Sequence, residues 1–218
     1  NPMKVASKIC GVSDRACMDA AADGGAAYVG FVFFPPSPRN VTLSQAAALV
    51  PNLPDEVEAV ALVVDPDNSL LDAIVGIPGI SMLQLHGVET PSRVLEIKDR
   101  TGRPTMKAVK VSEASDLDAA TAYFDVADML LFDAKPPPDL TDALPGGNAI
   151  SFDWNILTGR EWPMPWMLSG GLAAGNVIEA IQISGAPAVD VSSGVERTSG
   201  LKDPDLISSF LSIVKSAL

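Results

Sequence analysis

Short, nearly continuous apolar runs recur along the chain, separated by stretches whose apolar positions fall at helical spacing. The runs are KVASKIC (4–10), YVGFVFF (28–34), VEAVALVV (57–64), SMLQLH (81–86), TMKAVKV (105–111), DMLLFD (128–133), PWMLSG (165–170) and AVDVSS (188–193). Each has the length and residue types of a strand. Helix start signals lie between them: Asp14 before the first, Thr42 before LSQAAALV, and Asp65-Pro66 before DNSLLDAIVG, with proline at a favoured first-turn position. PSRVLEIKDR, EASDLDAATAYF, NVIEAIQISG and DPDLISSFLSIVKSAL continue the series. Gly24-Gly25, Gly76, Gly102 and Gly185 follow helical runs, where a left-handed residue past the last turn favours glycine. Only the sixth interval has no clean amphipathic pattern.

Strands alternating with helices predict parallel βαβ units, and runs such as AVALVV and MLLF suit strands covered on both faces. Eight such repeats predict an α/β fold, a (β/α)₈ TIM barrel, with residues 1–218 as one domain. An open doubly wound sheet is the alternative, but no G-x-G-x-x-G follows the first run. Asn1 and Pro2 precede Met3 and are set aside as an added remnant. The proline- and glycine-rich stretches 35–38 and 136–147 follow strand tips and read as loops of the active face.

Composition narrows the partners. Acidic residues outnumber basic ones 27 to 15, a net charge of −12, which disfavours nucleic acid and anionic membrane surfaces. Two cysteines, Cys10 and Cys17, are too few for a disulfide scaffold. One histidine, His86, excludes histidine-rich zinc sites, and no metal is expected. No signal peptide or membrane span is legible, so the chain is expected to be soluble and cytoplasmic, a monomer or homodimer acting on a small phosphorylated molecule.

In a barrel, chemistry sits at the C-terminal strand ends. Those tips present Cys10, Phe34, Val64, His86, Val111, Asp133, the turn Ser169-Gly170-Gly171 and the turn Ser192-Ser193-Gly194. Residues two apart share a strand face, so Lys8 lies with Cys10, Gln84 with His86 and Asp190 with Ser192. Polar side chains on otherwise apolar strands are costly unless partners or a ligand satisfy them. The glycine- and serine-rich turns after the seventh and eighth strands suit a phosphate, because barrels of this kind often bind one there. Cys10 has two readings, a small buried hydrophobe or a reactive thiol.

The motifs KICGV, GFVFFPPSPRNV, LQLHG, LLFDA, PGGNAISFDW, LSGGL, NV at 176–177, VDVSSGVE and GLKD occur in this order. With them the chain resembles the phosphoribosylanthranilate isomerase family over essentially its whole length. The resemblance implies a cofactor-free Amadori rearrangement in tryptophan biosynthesis, from N-(5-phosphoribosyl)anthranilate to 1-(2-carboxyphenylamino)-1-deoxyribulose 5-phosphate. It implies Cys10 as general base, Asp133 as general acid and Arg39 at the anthranilate carboxylate.

The residue types suit that chemistry. An acid must open the ribose ring to a Schiff base, and a base must then remove the C2′ proton. A thiol near pKa ~8.5 supplies little thiolate at neutral pH, which a cation such as Lys8 would increase. Plainer readings stand beside these roles: Asp133 capping a turn, Arg39 snorkelling over Phe34, and His86 as a neutral positioning residue. Asp190 has two open roles, contact with ribose hydroxyls or holding Lys8. Trp154 and Trp162 read as packing. If Arg39 serves only the ligand, Arg39→Lys leaves stability nearly unchanged. The family often has a glycine after G-G-N or G-G-T, whereas Ala149 stands here and is expected to resist a positive φ. The competing functions are another sugar-phosphate isomerase or epimerase and a non-catalytic phosphate-binding barrel.

Overall fold

The computed structural model describes residues 4–140 and 143–217. Asn1 and Pro2 lie outside the described residues. Eight parallel strands close into a barrel in sequence order. They are β1 (Ala6–Cys10), β2 (Tyr28–Val32), β3 (Glu58–Val63), β4 (Ile80–Leu85), β5 (Thr105–Val111), β6 (Met129–Ala134), β7 (Trp166–Leu168) and β8 (Ala188–Val191). The ring shuts where β1 pairs with β8, with Lys8 opposite Asp190. Every expected strand is present: β1, β2, β7 and β8 lose two residues at one end, and β4 and β6 are shifted by one. After β7, Ser169 leaves the strand although its amide still reaches the Phe132 carbonyl at 2.8 Å.

Six α-helices occur among the described residues: α1 (Arg15–Asp23), α2 (Leu43–Leu49), α3 (Asn68–Val75), α4 (Pro91–Thr101), α5 (Val177–Ser184) and α6 (Pro204–Ser216). Side-chain caps start most of them. Asp14 accepts from the Cys17 amide at 2.8 Å, and Thr42 with Gln45 forms a capping box. The start of α3 differs from the sequence reading. Its cap is Asp67, because Asp65 turns to accept the Val88 amide of the next loop at 3.0 Å. After α1 and α3, Gly24 and Gly76 keep right-handed backbone, while Gly25, Gly102 and Gly185 take positive φ.

The fifth interval holds a 3₁₀ run, Ala114–Tyr123, in place of an α-helix. Asp116 takes the amides of Ser112 and Glu113 at 2.8 and 3.0 Å, and such local carboxylate bonds compete with the α-helical ladder. Among its described residues the sixth interval has a single short 3₁₀ turn, Trp154–Leu157. Trp162 covers the barrel there instead, its ring 4.7 Å from that of Phe132, and both Trp154 and Trp162 pack on the core.

Two apolar layers hold the molecule. The larger lies between sheet and helices, with Ile9, Phe31, Leu83, Phe132 and Phe210 among its members. The smaller fills the lumen and contains Val60, Met82, Met106, Met129, Leu131 and Met167. Inward residues alternate along each strand, so β4 carries Met82 in this floor and Gln84 above it, with His86 just past the strand end. A polar layer therefore sits on a methionine-rich floor. A short hairpin after β8, β9 (Glu196–Thr198) with β10 (Leu201–Lys202), returns two charged residues to the mouth.

Candidate active site

The mouth is one cavity lined by residues at the C-terminal ends of seven strands and in the loops that follow them, including Cys10, Arg39, His86, Asp133, Asp190 and Ser192. Gly170, Gly171 and Ser193 also line it, so the structure gathers nine of the ten anticipated site residues. Gly194 does not line the cavity. It packs on the Leu172 carbonyl so closely that a Cβ would collide.

Lys8 is fully enclosed in the lumen, with its ammonium 3.0 Å from Asp190 Oδ1. Ser169 donates its hydroxyl to Asp190 Oδ2 at 2.8 Å. Both oxygens of Asp190 thus serve the protein, which favours the Lys8-holding role. Burial pushes Lys8 down, and the charges of Asp190 and Cys10 more than reverse this, leaving its pKa raised. Burial pushes the Cys10 thiol up, Lys8 pulls it down and Asp190 pushes it up again; the result is a raised pKa. The expected help from Lys8 is therefore outweighed by burial. The other free cysteine, Cys17, is pushed up to about 12, chiefly by burial, and is inert by comparison. Gly30 of β2 makes room for this arrangement: a Cβ there would lie 2.9 Å from Cys10 Sγ and 3.1 Å from Lys8 Nζ.

Across the mouth, His86 bridges two side chains. Its Nδ1 is 2.9 Å from Gln84 Nε2 and its Nε2 is 3.0 Å from Asp133 Oδ2. Asp133 Oδ1 accepts from its neighbour, the Ala134 amide, at 2.9 Å. Asp133 is held inside the cavity by these bonds and caps no turn.

Arg39 is buried, which overturns the snorkelling reading. Its Nε and Nη2 both donate to Glu196, each at 2.8 Å. Lys202 donates to the same carboxylate at 3.0 Å and to the Ser192 carbonyl at 3.1 Å. Burial acts to raise Glu196, but Arg39 and Lys202 hold it below the ordinary carboxylate range. Gly11, at φ +82°, lies under the Arg39 side chain, where a Cβ would come 2.8 Å from Cδ. The glycine of KICG is thus needed for Arg39 to lie flat.

Glu196 and Lys202 are functional candidates that reading the sequence left without a role. Only their place in VDVSSGVE and GLKD marked them. Lys110 was also missed: it stands in register with Asp133 on β5, and its charge reaches Asp133.

The loop after β6 closes over these groups. Asn148 accepts from the Leu144 amide at 2.9 Å and donates to its carbonyl at 2.7 Å, making a small ring. A Cβ on Gly146 would meet His86 Nε2 at 2.8 Å, and one on Gly147 would strike Arg39. Ala149 adopts φ +55°, contrary to the expectation that it would resist; the ring closed by Asn148 imposes that turn. A left-handed alanine costs about 1–2 kcal/mol. Ala149→Gly is expected to slow amide exchange in this loop about fivefold, a gain of about 1 kcal/mol. Unchanged exchange would remove the strain from the account.

On the facing side Gly170 and Gly171 take φ of +96° and +65°. Asn176 braces them, accepting from the Ala173 amide at 2.8 Å and donating to the Gly171 carbonyl at 2.9 Å. That bond gives the NV motif its purpose. Among the described residues no group of His, Cys, Asp and Glu is arranged to hold a metal, and no helix is long and apolar enough to cross a membrane.

A closed (β/α)₈ barrel with a thiol and a carboxyl lining the cavity at its mouth has the architecture of a sugar-phosphate isomerase. The family model for N-(5'-phosphoribosyl)anthranilate (PRA) isomerase matches residues 7–213. The chain is similar to the N-(5'-phosphoribosyl)anthranilate isomerase of Paramagnetospirillum magneticum, at 58% identity over 96% of each chain. It also resembles the solved phosphoribosyl anthranilate isomerase of Thermotoga maritima, with a TM-score of 0.86 and 33% identity over 97% of this chain and 99% of that one. A further similar structure holds reduced 1-(o-carboxyphenylamino)-1-deoxyribulose 5-phosphate, with a TM-score of 0.82 and 31% identity over 97% and 99%. The chain belongs to the N-(5'-phosphoribosyl)anthranilate isomerase family.

Proposed function

We propose that this chain, as one barrel domain, isomerises N-(5-phosphoribosyl)anthranilate to 1-(2-carboxyphenylamino)-1-deoxyribulose 5-phosphate in tryptophan biosynthesis. The observation that carries this is that Cys10, Asp133 and Arg39 line one cavity at the mouth of the barrel. Asp133 gives a proton to the ribose ring oxygen, the C1′–O bond breaks, and the nitrogen lone pair forms the Schiff base. Cys10, as thiolate, takes the C2′ proton, and the electron pair moves to the nitrogen to give an enolamine. Tautomerisation returns the proton to C1′ and leaves a ketone at C2′. The Gly170-Gly171 and Ser192-Ser193 turns hold the phosphate, and Arg39 meets the aromatic carboxylate with the end of its fork that Glu196 does not occupy. Two free thiols suit a reducing cytoplasm.

The test is turnover of freshly made substrate together with a complex of the product analogue. The phosphate should lie on the two glycine turns and the carboxylate at Arg39. An analogue bound in the reverse sense, or no turnover by folded protein, would overturn the reading.

Arg39→Lys separates recognition from architecture. Lysine keeps the charge but cannot donate twice to Glu196 while facing the ligand. Productive binding should weaken at least tenfold, and stability should fall by about 1–2 kcal/mol, because a buried charged hydrogen bond is lost. The structure thus replaces the expectation of unchanged stability. Normal binding by the folded variant would return Arg39 to a purely structural role.

A further inference from the structure

Gln84 is completely buried, and its amide is only half satisfied. Nε2 meets His86 Nδ1 at 2.9 Å, while Oε1 has no partner. A buried amide left in this state calls for an explanation, and a role in catalysis is one. An amide bonded at only one end can turn over and exchange donor for acceptor without breaking any other bond. Gln84 is built to do so beside the imidazole that contacts Asp133.

We propose that Gln84 is a positioning residue for the proton that Asp133 delivers. This rests on the reading of Asp133 as general acid. In one setting the Gln84 N–H donates to His86 Nδ1, so His86 must carry its proton on Nε2 and donate it to ionised Asp133. In the other setting Oε1 accepts from a protonated Nδ1. The bond between Nε2 and Oδ2 then holds one further proton, shared by imidazole and carboxyl. That second state is the loaded acid. When its shared proton passes to the ring oxygen, Asp133 is left ionised and His86 neutral, with Nδ1–H still bonded to Oε1. Nε2 then faces Oδ2 with no proton between them until the imidazole takes up its proton on Nε2 instead of Nδ1 and the amide turns back to donate to Nδ1. In each of the two settings both imidazole nitrogens are bonded.

The surrounding charges are mostly paired. Lys8 and Asp190 neutralise one another, as do Lys107 and Glu89, and Glu196 balances one of the two cations Arg39 and Lys202 that share it. Cys10 lines the same cavity, and burial raises its thiol pKa. Lys110 on β5 is in register with Asp133 on β6, and the acceptor that Oε1 offers to Nδ1 is what the loaded state needs. Gly146 covers the Nε2–Oδ2 bond and shields it from water.

His86 is the sole histidine, so nitrogen-15 spectra of histidine-labelled, ligand-free protein report this ring without assignment. In Gln84→Glu the carboxylate can only accept, and Nδ1 should stay protonated to a pH about one unit higher than in the parent. In Gln84→Met the acceptor is gone, Nδ1 should lose its proton at lower pH, and turnover should fall about tenfold with product-analogue affinity retained. The methionine variant carries the test if the buried carboxylate prevents folding. Unchanged His86 resonances across pH in the folded methionine variant would overturn the proposal, whatever happens to activity. Failure of Asp133 as the acid would show instead as full turnover in Asp133→Asn with the His86 response to Gln84 intact.

Discussion

Replacing Cys10 with serine is expected to lower turnover by about 10² to 10⁴-fold, with product-analogue affinity kept within a few-fold. The hydroxyl fits the space over Gly30, so folding and the Lys8–Asp190 pair survive. It ionises far less readily than a thiol, so the base is lost while the anion anchors remain. The pH profile gives an independent check. Burial raises the thiol, so thiolate is the minor species at neutral pH and grows as pH rises towards the thiol's pKa. The parent's rate should therefore climb on the alkaline side of neutrality, and that climb should vanish in Cys10→Ser. Near-normal turnover in the folded variant would return Cys10 to packing and remove the mechanism with it.

Asp133→Asn should be comparably damaging, about 10² to 10⁴-fold in turnover, because an amide cannot deliver the ring-opening proton. Its shape is preserved, and the amide oxygen can still accept either from His86 Nε2–H or from the Ala134 amide. The loss of one buried bond should cost stability only about 1 kcal/mol. Product-analogue titration decides between chemistry and architecture. Affinity close to the parent's with turnover lost places Asp133 in the reaction. A parallel loss of both places it in the frame.

Much of this site could be read before any coordinates, because strand alternation is a strict rule. Lys8 two residues before Cys10, and Gln84 two before His86, had to share an inward face, and the observed bonds follow. The fork of Arg39 could not be traced that way. Its partner Glu196 lies 157 positions away, on a hairpin that no apolar pattern announced. The fifth interval misled because EASDLDAATAYF has helical spacing, while Asp116 satisfies nearby amides first. Ala149 misled for the opposite reason: its intrinsic preference is real, but the Asn148 ring overrides it. The half-satisfied amide of Gln84 is a property of three-dimensional surroundings and has no signature in the chain.

The lumen floor beneath the polar layer has a consequence for how the protein can be watched. Met106 and Met167 are completely covered, and Met82 and Met129 nearly so. A thioether oxidises only when peroxide reaches the sulfur, and the sulfoxide it becomes is polar and unsuited to this interior. While the barrel stays shut, these four sulfurs are chemically silent. Each opening of the barrel exposes them, and every sulfoxide formed is a permanent record of the event. Slow peroxide labelling followed by mass spectrometry would therefore count excursions from the native state at the place where all eight strands meet, with no probe introduced.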